Sequence, residues 1–323
     1  MLPIFLKTLT IFLMILAGYL VRRQKLVDEA FNRQLSLLLM NVFYPSLILS
    51  SVVRNYTISS LAANWTLPAG SILIMLAGWS LGRLARSGLH KQPEALQRTF
   101  LFQCTMNNYS FLPIMLVAGL FGEQAVAQVV FAAFGAELCM WTLGVQSLTG
   151  EIRSLRTFRN LLSMPMAALA TAVAILAVQA LLVPAPPTPV NQPLPAVPAF
   201  GIRDMLLGAF QMLGQATIPI SAIVCGCRMA SLDGDNLFSR PMFGLLFLRL
   251  LAIPTLAILL LSLLPLTPAT RQVLLVIAVQ PTAMVSVTMA EIYHTDSHFA
   301  ATAVLTTHLL CLATIPFWLH FLL

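Results

Sequence analysis

Asn107, Asn108, Gln280 and Thr282 carry groups that can both donate and accept hydrogen bonds, and they fall in two short polar clusters inside long apolar stretches. The first cluster is Asn107-Asn108-Tyr109-Ser110-Phe111-Leu112-Pro113 and the second Gln280-Pro281-Thr282-Ala283-Met284-Val285-Ser286. Such groups suit a site that holds a carboxylate and then releases it. Pro113 and Pro281 add a second property, because proline interrupts helical hydrogen bonding. A helix broken in hydrocarbon strands backbone N–H and C=O groups at several kcal/mol each, so breaks persist where protein, water or a ligand takes those groups up. At about 1.5 Å rise per residue, Asn108 lies about 15 Å into its apolar run and Gln280 about 16 Å into its own. Both depths are near the middle of a bilayer core about 30 Å thick. A broken helix also offers a positive N-terminal end to anions and a negative C-terminal end to cations. The four residues are therefore expected to bind a small organic anion, Asn108 and Gln280 foremost. The plainer alternative is that these amides only cap the backbone freed at the breaks.

Glu137, Arg249 and His308 fall near the same depth. Ionisable groups there cost about 2.5 to 3.5 kcal/mol on insertion scales for Arg or Asp, so they face the protein interior or water. His308 or Glu137 is expected to carry a coupling proton, since imidazole changes charge in the physiological range. Arg249 would serve as counter-charge or as a two-point clamp on a carboxylate. A structural ion pair between Glu137 and Arg249 is an equal alternative. H⁺ or Na⁺ is the expected coupling ion, with no other cofactor. Glu291, His294, Asp296 and His298 read as a solvated loop rather than a metal site. Cys104, Cys139, Cys225, Cys227 and Cys311 all sit in apolar runs and suggest neither a disulfide nor a metal.

These residues need a membrane scaffold. The chain is 59 % hydrophobic and 9 % charged, against roughly 45 to 50 % and about 25 % in soluble domains. Apolar runs near 3–21, 33–53, 66–86, 98–120, 124–148, 161–183, 204–227, 241–264, 269–291 and 298–320 predict ten transmembrane helices. The net charge of +7 sits in short connections and does not suggest nucleic acid. With both termini outside, Arg22, Arg23, Lys25, Arg33, Arg83, Arg86, Lys91, Arg98, Arg153, Arg156, Arg159, Arg228 and Arg240 all face the cytoplasm, as the positive-inside tendency requires. The proline-rich stretch from Val183 to Phe200 reads as a linker. Phe43-Tyr44-Pro45-Ser46 in the second run matches Thr217-Ile218-Pro219-Ile220 in the seventh, and Pro113 in the fourth matches Pro281 in the ninth. Residues 1–155 and 156–323 thus form two repeats of five helices, and an odd repeat must insert upside down relative to its copy.

The stretch Asn108-Tyr109-Ser110-Phe111-Leu112-Pro113-Ile114, followed by Gly119-Leu120-Phe121-Gly122-Glu123-Gln124-Ala125, resembles the broken fourth helix of the auxin efflux carrier family. Gln280-Pro281-Thr282-Ala283, Ala290-Glu291-Ile292-Tyr293, Thr306-Thr307 and Ala313-Thr314-Ile315-Pro316 resemble its closing helices. The resemblance implies a fold similar to bile acid:sodium symporters, with the broken fourth and ninth helices crossing. It also implies a scaffold of spans 1, 2, 6 and 7, often dimeric, and a mobile unit of spans 3–5 and 8–10 carrying the site. In the family a small hydroxylated residue is more usual at the His308 position and an uncharged polar one at Glu137.

The expected protein is an all-α, multi-pass integral membrane carrier of the plasma membrane, the inner membrane in a bacterium. It would move a small organic anion, auxin-like or dicarboxylate, by an elevator motion, as a homodimer in the lipid bilayer. An uncoupled channel or a membrane sensor is the alternative. An enzyme is not expected, since no paired carboxylates, metal pair or nucleophile with its base can be found.

Overall fold

In hydrocarbon each backbone N–H must find its carbonyl within its own segment, so apolar runs fold as helices. The computed structural model describes residues 2–150, 163–182, 201–231 and 239–323. Its helices are α1 (Leu2–Arg23), α2 (Glu29–Asn55), α3 (Ile58–Leu89), α4 (Glu94–Thr105), α5 (Phe111–Phe121) and α6 (Glu123–Thr149). They continue with α7 (Met164–Leu182), α8 (Ile202–Ala230), α9 (Arg240–Leu261), α10 (Pro268–Ala278), α11 (Ser286–Ile292) and α12 (Ser297–Leu322). Among the described residues eight of these, α1, α2, α3, α6, α7, α8, α9 and α12, are long and apolar enough to cross a membrane. There is no strand among them, only an isolated antiparallel bridge between Asn107 and Thr282. Arg153, Arg156, Arg159, the boundary at 155/156 and the stretch from Val183 to Phe200 lie outside the described residues.

Local chemistry sets several helix ends. Asp28 accepts from the Phe31 amide at 2.7 Å at the start of α2, and Asp296 accepts from the Phe299 amide at 2.8 Å at the start of α12. A side-chain oxygen at this position takes up one of the amides that the first turn leaves without a partner. Glu123 is the first residue of α6, where its carboxylate suits the positive helix end, and no side chain caps that end by a hydrogen bond. Its Oε1 accepts from Gln215 Nε2 at 3.5 Å. Two prolines inside long helices are accommodated by wider turns. Pro45 and Pro254 each follow a five-residue π-helical turn, Leu39–Phe43 and Leu248–Ala252. A third such turn, Met140–Gly144, interrupts α6 just beyond Glu137.

Glycines let helices touch backbone to backbone, and the contacts sort into two sets. A Cβ on Gly18 or Gly226 would collide with the facing helix of the α1–α8 pair, and one on Gly214 of α8 would meet the Leu47 backbone of α2. α7 packs on α2. In the other set, a Cβ on Gly78 or Gly82 of α3 would collide with Cys104 of α4, on Gly70 of α3 with Leu274 of α10, and on Gly135 of α6 with Pro68 of α3. None of these close approaches joins one set to the other.

Candidate functional site

Two pairs of short helices meet end to end at the centre of the fold. α4 stops at Thr105 and α5 begins at Phe111, while α10 stops at Ala278 and α11 begins at Ser286. Pro113 is therefore not in the gap but third in α5, where its missing N–H is one that a first turn leaves unpaired anyway. Pro281 does lie in the gap. The two interruptions pair with each other: the Asn108 amide donates to Pro281 O at 2.8 Å and the Ala283 amide to Met106 O at 3.1 Å. Backbone groups that two broken helices would each strand are thus satisfied mutually.

The carbonyl ends of the half-helices are closed by side chains. Asn107 Nδ2 donates to Ile277 O at 2.6 Å and Gln280 Nε2 to Val276 O at 2.8 Å, both at the end of α10. At the end of α4, Arg249 Nε and Nη2 donate to Gln103 O at 3.2 and 2.9 Å, and Nη2 also donates to Cys104 O. A cation there complements the negative end of the helix dipole. Arg249 is fully buried and forms no ion pair with Glu137, because the single salt bridge among the described residues joins Arg98 to Glu94. The alternative of a Glu137–Arg249 pair is thereby corrected: backbone carbonyls compensate the guanidinium instead. The amino end of α5 differs, since no side chain caps it.

That open end faces a cavity of about 190 Å³. Asn107, Asn108, Tyr109, Ser110 and Phe111 line it on one side, Ala283, Met284 and Val285 on another, and Tyr44, Glu137, Met140 and Trp141 complete the wall. Of the four expected anion ligands, Asn107 and Asn108 reach the lining. Gln280 and Thr282 are wholly buried behind it, and Thr282 Oγ1 lies 2.9 Å from Thr307 Oγ1. Asn107 Oδ1 and Gln280 Oε1 are buried without a hydrogen-bond partner. Asn108 links the cavity to the interior through His308, with 3.3 Å between Nδ2 and Nε2. His308 Nδ1 is 2.8 Å from Val304 O. A carbonyl only accepts, so in the neutral ring Nδ1 carries the hydrogen and Nε2 accepts from Asn108.

Glu137 Oε1 accepts from the Tyr109 hydroxyl at 2.9 Å, and the Tyr44 hydroxyl donates to Ser110 Oγ at 3.1 Å. Sequence reasoning passed over Tyr109, Ser110, Tyr44 and Trp141. The first two flank the interruption directly, and Tyr44 precedes Pro45, so proximity to a proline break was the available signal. Trp141 had no such mark. Larger polar cavities lie elsewhere, one of about 310 Å³ lined by Arg54, Asn55, Glu123 and Gln215, and neither interruption contributes to it. All five cysteines are buried free thiols. Among the described residues no group of three or more His, Cys, Asp or Glu could hold a metal ion, and Asp296 caps α12 as described.

Eight long apolar helices and a cavity with a few polar groups between interrupted ones are features of a multi-pass membrane transport protein. The chain matches the family described as "Membrane transport protein" over residues 3–160 and 170–319, and it belongs to that family, that of the auxin efflux carriers. A similar relative is an uncharacterized transporter of Methanocaldococcus jannaschii, 22% identical over 314 residues, which are 96% of each chain. The protein is a membrane transporter and not an enzyme.

Proposed function

We propose that the protein is a secondary transporter that carries a small organic anion, bound by its carboxylate where the two interruptions pair. The observation that carries this reading is the asymmetry of the half-helix ends. Arg249, Asn107 and Gln280 close the carbonyl ends, whereas the amino end of α5 opens, uncapped, on a cavity that Asn108 also lines. A positive helix end beside an amide is suited to a carboxylate. The cavity is smaller than the roughly 300 to 1,000 Å³ of pockets for drug-sized ligands, which favours a compact substrate. Saturable uptake of labelled carboxylates into vesicles reconstituted with the purified protein is the expected result. Uptake that stays linear with concentration and ignores imposed H⁺ and Na⁺ gradients would instead favour the channel reading.

Counting α4 with α5 and α10 with α11 as one span each gives ten spans in two inverted repeats, 1–155 and 156–323. The termini lie outside and the arginine-rich connections lie in the cytoplasm, of a bacterial inner membrane if the source is prokaryotic. The glycine contacts divide in the same way as the proposed elevator: spans 1, 2, 6 and 7 lock together as a scaffold, through which two copies would dimerise, and spans 3–5 and 8–10 lock together as the moving unit. Polar links between the two are few, one being Arg228 Nη1 donating to Thr288 Oγ1 at 2.7 Å. Joining cysteines placed at 228 and 288 with a short thiol-reactive spacer should arrest uptake, and reduction of the spacer should restore it. Joining cysteines at 100 and 299, which face each other inside the moving unit, should leave uptake largely intact. Equal effects of the two linkages would rule out the sliding motion. A coupling proton would reach the site through His308, which touches the cavity by way of Asn108.

A further inference from the structure

Glu137 lines the cavity, and a carboxylate ligand alone leaves its charge unanswered. Among the described residues no Lys, Arg or His lines the cavity with it. Arg249 is turned to the carbonyls of Gln103 and Cys104, and His308 reaches Asn108 rather than the cavity. The Tyr109 hydroxyl donates to Glu137 Oε1, a bond that the ionised and the protonated acid can both accept. An ionised carboxylate away from bulk water is costly unless a positive group meets it. A simple organic anion would place a second negative charge in the same 190 Å³ space. The wall near Glu137 also holds the rings of Tyr44, Phe111 and Trp141, and aromatic faces attract cations.

We propose that the substrate is an amino carboxylate: its carboxylate meets the open end of α5 and Asn108, and its ammonium meets Glu137 among the aromatic rings. This rests on the carboxylate reading above and adds a second, cation-binding pole to the same cavity. The ammonium then answers the charge of Glu137, and the substrate's own carboxylate is left to the positive end of α5. Methionines complete the lining, with Met40, Met140, Met284 and Met289 all at its edge. Their adaptable thioethers suit an apolar body between the two charged ends.

The test is calorimetric titration of the purified full-length protein with matched pairs: leucine against isocaproate, and γ-aminobutyrate against butyrate. At least one amino acid should bind 10-fold or more tightly than its deaminated twin. Glu137→Gln should erase that ratio while leaving the deaminated acid bound as before or better. Tyr109→Phe, which keeps the acid but removes its hydrogen bond, should lower the ratio by a smaller factor and so guards against misfolding of the first variant. The proposal is overturned if no amino acid outbinds its twin, or if the ratio survives Glu137→Gln. Deaminated acids that bind well in the wild type would then leave the carboxylate site standing, whereas the absence of all carboxylate binding would remove both readings. Uptake of a deaminated acid that is driven by a proton gradient and lost in Glu137→Gln would likewise overturn it, by making Glu137 a proton carrier.

Discussion

Arg249→Met should cost the folded protein about 3 kcal/mol, taking two carbonyls at roughly 1.5 kcal/mol each, the low end for hydrogen bonds to a charged group. The carbonyls of Gln103 and Cys104 lie in the last turn of α4, where helical amides no longer reach them. The Asn108 backbone amide, which in a continuous helix would bond Cys104 O, donates to Pro281 O instead. No water is at hand in the middle of a bilayer to replace the guanidinium. Methionine roughly fills the arginine stem, so the loss falls mainly on those two bonds. Thermal unfolding in detergent should show a midpoint lower by roughly 5 to 10 °C. Arg249→Lys should recover part of it, because an ammonium is a point donor where the guanidinium fork spans two acceptors. An unchanged midpoint for Arg249→Met would mean that the end of α4 is satisfied by something else.

Gly226→Ala should be comparably damaging for a different reason. The added Cβ would press on the Ile15 carbonyl and stand 2.6 Å from the Tyr19 nitrogen, both backbone atoms of α1 that cannot turn aside. Overpacking of this kind costs typically 1 to 3 kcal/mol, occasionally more, and the α1–α8 contact must open to relieve it. Alanine's better helix propensity, worth about 1 kcal/mol, recovers only part. Gly244→Ala in α9 makes the control, since a Cβ there meets nothing within 4 Å. The same substitution should leave stability unchanged or slightly raised at 244 and clearly lowered at 226. Equal effects at the two positions would show that α1 and α8 do not pack as tightly as described.

The helical architecture and the position of the interruptions were legible because hydrocarbon imposes one rule on every segment. Apolar runs become helices, and polar residues beside a proline mark where the rule is suspended. The roles of individual polar residues at the breaks were less legible. Gln280 has the same depth and chemistry as Asn108, yet its amide closes the end of α10 while Asn108 lines the cavity. Composition and spacing carry no information on which way a side chain turns at an irregular segment. Arg249 illustrates the same gap. An arginine at mid-membrane depth implies a compensating group, and a carboxylate is the obvious partner on paper. The compensation comes from carbonyls exposed by the break itself, which can be inferred only once the end of α4 is placed against α9. Trp141 reached the cavity from α6, and no local pattern could have brought it there.

Uptake by vesicles containing Asn108→Ala tests the anion site most directly. Asn108 lines the cavity and joins it to His308, while its backbone amide, which the substitution keeps, still holds the paired interruptions together. Losing one hydrogen bond to a charged ligand, worth about 1.5 to 3 kcal/mol, should raise the half-saturating carboxylate concentration roughly 10-fold or more, with folded protein and unfolding midpoint little altered. Saturable uptake with wild-type affinity in Asn108→Ala would contradict the placement of the anion between the two broken helices.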